Sequence, residues 1–302
     1  MKTEKMHGME PTAKKKHGSL RIFLRILAIL LLLALIIGTA VFIYSRYTQG
    51  HYRISFYQET SRKVSSNIRI IVVSDIHNRE YGENNRTLIE DIRALKPDLI
   101  LFPGDMVILD EEDYRPMLEL VSELSGTAPC YGVLGNHESE RIYYRNDREL
   151  PAKFEEAGLK LLRNASEEVR IGNDTLQLIG VEGTTHGFEV YGGREFMDRA
   201  VINPSEYSIL MAHYPVLFEP QLSGYDFDLG IAGHVHGGIV NLPFLGGLYS
   251  AEEGFFPHFT MGKYTLQNRQ TLIISGGMGD SKAFPPRINN LPELVVIDIN
   301  KY

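Results

Sequence analysis

Apolar positions along the chain follow two patterns. Residues 26–45 form an uncharged run of 20, rich in Leu, Ile and Ala. At a helical rise of about 1.5 Å per residue the run spans about 30 Å, the thickness of a bilayer's hydrocarbon layer. One transmembrane anchor is therefore predicted. A cleavable signal peptide is the rival; its apolar region is usually about 7 to 15 residues, and after Gly38-Thr39-Ala40 bulky apolar residues continue. From Ile68 onward, short apolar runs alternate with amphipathic ones. Residues 68–73, 99–102 and 130–134 read as buried strands. Residues 84–95, with Leu88, Ile92 and Leu95 at helical spacing and Pro97 as a stop, read as a helix, as does 114–124. This rhythm predicts an α/β fold, a parallel or mixed sheet covered by helices. A helix over 152–157 capped by Gly158, a hairpin joining 169–171 to 176–181, and strands at 208–212, 229–232, 272–275 and 294–299 complete the pattern. No internal repeat is present. The chain divides into a basic tail (1–25), the anchor (26–45), a linker (46–67) and one large domain (68–302). Within the tail, 1–20 reads as disordered, with Lys14, Lys15 and Lys16 able to meet anionic headgroups.

Composition changes this picture in two places. With 43% hydrophobic and 23% charged residues the chain is of ordinary globular type. Its single cysteine, Cys130, excludes an internal disulfide framework and a multi-cysteine zinc site. The net charge of −7 is unevenly spread: residues 1–50 carry +6, leaving −13 for the rest. An acidic domain is a poor binder of long nucleic acid, so no nucleic-acid polymer is expected as a partner. Five Lys or Arg precede the apolar run within 15 residues and two, Arg46 and Arg53, follow it. The N-terminus is therefore expected in the cytoplasm and the large domain outside, at the cell membrane.

The polar residues that end the predicted strands carry the chemistry. Asp75 and His77 follow the first strand, Asp105 the second, Asn136 and His137 the third, His213 the strand at 208–212, and His234 with His236 the strand at 229–232. In open α/β sheets, ligands bind beyond the carboxyl ends of the strands, so these residues are expected to share one crevice. The two histidines at i and i+2 are expected on one face of a strand end. Carboxylate and imidazole together suit Mn, Fe or Zn, and a carboxylate can join two ions. Two ions about 3.5 to 4 Å apart can clamp a phosphate and activate water for in-line attack.

In order, the blocks are Asp75-Ile76-His77, Gly104-Asp105, Gly135-Asn136-His137-Glu138, His213 and Gly233-His234-Val235-His236. This order strongly resembles the calcineurin-like metallophosphoesterases. The resemblance implies a four-layer α-β-β-α sandwich of two mixed sheets flanked by helices. It further implies two divalent ions, Mn favoured over Zn or Fe: one held by Asp75, His77 and His236, the other by Asn136, His213 and His234, with Asp105 between them. His137 would protonate the leaving oxygen, oriented by Glu138, and a metal-bridging hydroxide would attack. The continuation Gly237-Gly238, Leu242-Pro243, Gly247-Leu248-Tyr249-Ser250, Gly276-Gly277-Met278-Gly279, Pro286-Arg287 and Pro292-Glu293 resembles the family's membrane-associated bacterial phosphodiesterases. Some members of that branch hydrolyse the pyrophosphate of UDP-2,3-diacylglucosamine; the chain departs from the branch at Ile239, where glutamine is common.

Each block alone has an ordinary explanation as a capped turn or a core histidine. Five of the eight histidines after residue 50 nevertheless fall within the blocks. The other three, His51, His186 and His258, read as surface or packing residues. Arg141 and Arg145 could pair with a substrate phosphate or simply line a solvated helix face. Phe244, Leu245, Leu248, Tyr249, Phe255, Phe256 and Phe259 could form an acyl-chain groove or rest on a bilayer; packing of the loop against the core is the preferred reading. The expected function is a membrane-anchored phosphodiesterase or pyrophosphatase whose substrate is lipid-linked or from the envelope. A metal-dependent hydrolase of another bond, such as a cell-wall amidase or deacetylase, and a non-catalytic scaffold are the alternatives. The oligomeric state stays open.

Overall fold

The computed structural model describes residues 13–48, 50–242, 244, 246–250, 253–279 and 287–302. Of the residues singled out above, Pro243, Leu245 and Pro286 lie outside these, as does the part of the basic tail before Ala13. The chain separates into two units at Tyr47/Thr48. The first is made of helix α1, Ala13–Thr48, up to Tyr47. Its segment Leu20–Tyr44 is long and apolar enough to cross a membrane, and its large apolar side chains from Leu20 to Phe42 are exposed. Helical backbone from Ala13 replaces the disordered tail expected over 13–20, because lysines are good helix formers and the apolar run supplies a long nucleus to extend from.

The second unit, Thr48–Tyr302, contains two six-stranded sheets. In chain order its elements are β1 Arg53–Ser61, β2 Ile68–Val72, α2 Arg86–Leu95, β3 Leu99–Phe102, α3 Arg115–Ser125, β4 Cys130–Gly132, α4 Asn136–Tyr144, α5 Leu150–Glu156, β5 Leu159–Leu161, β6 Ala165–Ile171 and β7 Asp174–Val181. There follow α6 Thr185–Val190, α7 Gly193–Arg199, β8 Tyr207–Ala212, β9 Leu229–Ala232, the two-residue strands β10 Asn241–Leu242, β11 Gly246–Gly247, β12 Tyr249–Ser250 and β13 Gly254–Phe255, then β14 Gly262–Thr265, β15 Thr271–Ile274 and β16 Glu293–Lys301. The first sheet has the order β1-β16-β2-β3-β4-β5, the second β14-β15-β9-β8-β7-β6. Both are mixed: β16 is antiparallel to β2, while β2 to β5 run parallel. In the second sheet β15, β9, β8 and β7 run parallel between antiparallel edges.

Strand side chains alternate between faces, and that alternation builds the layers. From the first sheet Ile68, Ile70, Val72, Leu99 and Leu101 face Leu176, Leu178, Ile209, Met211 and Ile231 of the second in one buried cluster. The residues between them, Ile71, Ile100 and Phe102, face outward and are covered by Leu88 and Ile92 of α2, Leu120 and Leu124 of α3 and Phe154 of α5. On the far side, Ile179, Leu210 and Ile274 are covered by Phe188 of α6, Met197 of α7 and Phe218. The result is the expected arrangement of helix, sheet, sheet and helix.

The linker expected over 46–67 is largely structured. Nine of its residues form β1, which pairs in parallel with β16 from Arg53↔Glu293 to Ser61↔Lys301. An edge strand needs only one packed face, so β1 lacks a clear apolar run, and its partner lies some 240 residues away in sequence. Arg53 opens this strand and donates to the fully buried Glu293 at 2.9 Å. The second oxygen of Glu293 accepts from Gly276 N–H at 2.7 Å. The edge strand thereby supports the loop after β15.

Candidate metal centre

Every histidine and carboxylate in the blocks arrives at one end of the two sheets, on loops that leave β2, β3, β4, β8 and β9. Asp75, His77 and His236 offer ligand atoms that all lie within 4.8 Å of one another. So do Asp105, His213 and His234, and so do His77, Asp105 and His137. Asp105 joins these groups: its Oδ2 lies 3.2 Å from His213 Nε2, 3.3 Å from His77 Nε2 and 4.0 Å from His137 Nε2. The side-chain amide of Asn136 lies 3.2 Å from His213 Nε2 and 3.1 Å from His234 Nδ1. Turned one way, its NH2 donates to these nitrogens and to Asp105 Oδ2; turned the other, its oxygen adds a further lone pair.

The local backbone explains how the side chains turn inward. Asp75, His77, Asp105, His234 and His236 all have positive φ, between 47° and 71°. Non-glycine residues rarely adopt this conformation, and it collects at functional sites. It also changes the expected reason for the His234/His236 spacing. The strand ends at Ala232, and the two left-handed residues send their rings apart: His236 packs on His77 at 4.8 Å between centroids, and His234 on His213 at 5.0 Å. Two neighbouring glycines are required by contact. A Cβ at Gly135 would collide with Asp105 Oδ1, and one at Gly233 with Asp75 Oδ2.

Hydrogen bonds set the proton positions. The Pro103 carbonyl, which only accepts, lies 2.8 Å from His213 Nδ1, so Nδ1 carries a proton and Nε2 faces the cluster. Burial opposes a charge on His213, but Asp105 outweighs it and pushes the pKa up to about 10. Burial likewise opposes the Asp105 carboxylate; the charges of His213 and His77 and their hydrogen bonds hold it well below the usual range. A divalent cation would replace the proton on His213 Nε2 and satisfy the same carboxylate. The converging oxygen and nitrogen donors thus fit a metal ion.

His137 is arranged differently. Leu109 N–H donates to its Nδ1 at 3.2 Å, so the proton of the neutral ring sits on Nε2, facing Asp105. Burial pushes the pKa of His137 down. On His236, burial and then the charges of His77 and Arg287 hold the pKa well below its ordinary value. Arg287 donates to His236 Nδ1 at 3.0 Å. The neutral ring's proton is then on Nε2, so binding a cation there requires that proton to leave or the ring to turn.

Three expectations from the sequence are corrected. Glu138 does not touch His137; it is fully buried and accepts from the N–H groups of Asp105 at 2.9 Å, Gly135 at 2.8 Å and Val107 at 3.0 Å. At the third position of α4 its carboxylate reaches back to the N–H of the N-cap residue Gly135 and ties the Asp105 and Gly135 loops together. Arg141 is buried, with its guanidinium on the carbonyls of Ile108, Leu109 and Glu111 and on Asp147, so it has no fork left for a phosphate. Arg145 pairs with Asp110 at 2.6 Å on the surface. Lastly, Phe244, Phe255 and Phe256 are exposed and only Phe259 of the loop phenylalanines is buried, against the packing reading.

Arg287 is a residue whose place the sequence does not disclose, beyond its position in a Pro-Arg block. Almost fully buried, it donates to the carbonyls of Gly276 at 2.7 Å, Gly279 at 2.7 Å and His236 at 3.3 Å. It thereby fixes the loop after β9 to the loop after β15. Arg287→Lys keeps the charge but loses the planar fork. It is expected to cost about 2 to 3 kcal/mol, since buried carbonyls lose their donors, and to weaken metal retention about 10- to 100-fold. Thermal unfolding and metal titration against a chelator would measure both.

Two mixed sheets under helices, with carboxylate, amide and imidazole donors gathered at one end, define an α/β fold with a candidate metal centre beyond its strand ends. A family model for calcineurin-like phosphoesterases matches residues 68–238, and the chain belongs to that family. The metallophosphoesterase Cj0846 of Campylobacter jejuni is 28% identical over 227 residues, 72% of this chain and 55% of that protein, so the chain spans about half of that relative's length. The metallophosphoesterase YkuE of Bacillus subtilis is 24% identical over 273 residues, covering 85% of this chain and 88% of its own. The phosphodiesterase YaeI of Escherichia coli is 23% identical over 253 residues, covering 82% and 86%.

Proposed function

We propose that the chain is a membrane-anchored phosphodiesterase or pyrophosphatase that uses two divalent metal ions. In this reading Asp75, His77 and His236 hold one ion, Asn136, His213 and His234 the other, and Asp105 is shared. The position of Asp105 Oδ2, 3.2 Å from His213 and 3.3 Å from His77, is the observation that carries it. The ions, Mn favoured over Zn or Fe, would neutralise the phosphate oxygens and lower the pKa of water for in-line attack. Asp105 Oδ1 accepts from His137 N–H at 2.9 Å and so holds the start of α4 against the site. His137 Nε2–H is poised to donate to the leaving oxygen, with Leu109 N–H holding the ring in that tautomer. Glu138 positions the loops that carry Asp105 and Asn136.

Helix α1 supports anchorage, with residues 1–25 as a cytoplasmic tail, 26–45 as the span and the large domain outside the cell membrane. The exposed Phe244, Phe255 and Phe256 suit contact with bilayer lipid, which favours a lipid-linked or envelope substrate. Hydrolysis of bis(p-nitrophenyl) phosphate by the full chain in detergent, with Mn or Zn added, tests the reaction. No turnover with metal bound would overturn it. His137→Ala is expected to slow turnover by about 10²- to 10⁴-fold with metal content unchanged; loss of both ions would contradict its role as a hydrogen-bond donor to the leaving oxygen.

A further inference from the structure

We propose that a tyrosine-lined cavity beside Asn136 holds the substituent that stays on phosphorus, and that this substituent is an uncharged planar ring. The cavity has a volume of about 400 Å³ and is walled by Asn136 and Glu140, by Tyr143 and Tyr191, and by His186 and Tyr214. It begins at the metal centre, since Asn136 belongs to both. The buried Tyr214 forms its inner wall, with its ring 4.1 Å from that of His234 and 5.2 Å from that of His213. An occupant is therefore in covalent reach of a phosphate held at the metals.

Three features select a ring. Tyr143 and Tyr191 stack at 5.7 Å with planes 14° apart, yet remain 60% and 52% exposed, which leaves aromatic surface open to an incoming ring. Among the described residues no Lys or Arg lines the cavity and Glu140 is its only carboxylate, so a second phosphate or another anion meets no fixed positive charge there. The size suits a compact ring system more than a long acyl chain. Helix α4 then decides which substituent enters. Asn136, Glu140 and Tyr143 share one face at i, i+4 and i+7. His137 points off that face towards Leu109. The oxygen that receives the His137 Nε2–H hydrogen bond therefore departs on one side while the retained ester group lies on the tyrosine side.

The inference rests on the phosphodiesterase reading for the reaction but not for ring binding, and two measurements separate them. The first compares kcat/KM of the full chain in detergent with Mn on phenyl p-nitrophenyl phosphate and methyl p-nitrophenyl phosphate, which share a leaving group. The parent is expected to favour the phenyl ester about tenfold, and Tyr143→Ala and Tyr191→Ala each to lower that ratio about fivefold, the scale of one aromatic stack. Tyr143→Phe keeps the ring and is expected to keep the ratio. The second compares binding of phenylphosphonate and methylphosphonate by calorimetry, with the phenyl compound bound more tightly and the margin lost in Tyr143→Ala. Hydrolysis of both esters without preference, or ratios untouched in both alanine variants, would overturn the ring subsite and leave the phosphodiesterase reading standing. No hydrolysis of either ester, with phenylphosphonate still preferred through Tyr143, would overturn the reaction and keep the subsite.

Discussion

Replacing Asp105 with Asn is expected to lower turnover of bis(p-nitrophenyl) phosphate by about 10³-fold or more and to reduce the metal content of the chain. Asn is nearly the same size, so the change isolates charge and lone pairs. One carboxylate oxygen accepts from His137 N–H, and an amide oxygen can keep that bond. The other faces His213 and His77, and there the amide presents an NH2 donor where an anion is needed. A metal ion supplies several kcal/mol of charge stabilisation, and about 1.4 kcal/mol corresponds to a factor of ten, which sets the scale. Metal analysis beside the rate assay gives the test its force. Full turnover in the variant with both ions still bound would remove Asp105 as the shared ligand.

Glu138→Ala is expected to act on the scaffold before it acts on the chemistry. The side chain is wholly buried and satisfies three backbone N–H groups, of Asp105, Val107 and Gly135. An unsatisfied buried donor costs about 1 to 3 kcal/mol, so the variant should lose about 3 to 6 kcal/mol once partial relaxation is allowed for. In a domain of this size that lowers the melting temperature by about 10 °C or more. Calorimetric unfolding of parent and variant measures it. If Glu138 served only to orient His137, the variant would melt with the parent and only turnover would fall. Glu138→Gln retains one acceptor oxygen and should lie between the two.

The exposed phenylalanines bear on what the enzyme acts upon. Phe244 is fully exposed, and Phe255 and Phe256 are more than half exposed, in the chain segment that directly follows His234 and His236 of the β9 loop. Apolar surface of this kind is costly in water and is used where a second apolar phase is available. The tyrosine-lined cavity opens from the same centre but suits a ring. A substrate with a ring on one side of the phosphate and lipid on the other would use both features.

The class of fold, and the histidines and carboxylates that meet at the candidate metal centre, were legible in the residues alone. Strands at 68–72, 99–102, 207–212 and 229–232 are written as apolar runs because both of their faces are buried, and the polar residue after each run is then necessarily at a strand end. Residue type supplies the rest, since carboxylates and imidazoles that share one strand-end crevice are suited to binding cations, although each block alone has an ordinary explanation. Only the tertiary structure decided how these residues divide. His234 and His236 part company because left-handed backbone replaces the strand after Ala232, and although histidine is enriched at positive φ, most histidines do not adopt it, so residue type alone does not announce it. Glu138 and Arg141 look in sequence like chemistry beside His137, yet both are spent on backbone groups, a distinction set by burial alone. Arg53, Arg287 and Glu293 act across more than 200 residues or through loop carbonyls, and carbonyls carry no residue identity for a sequence to display.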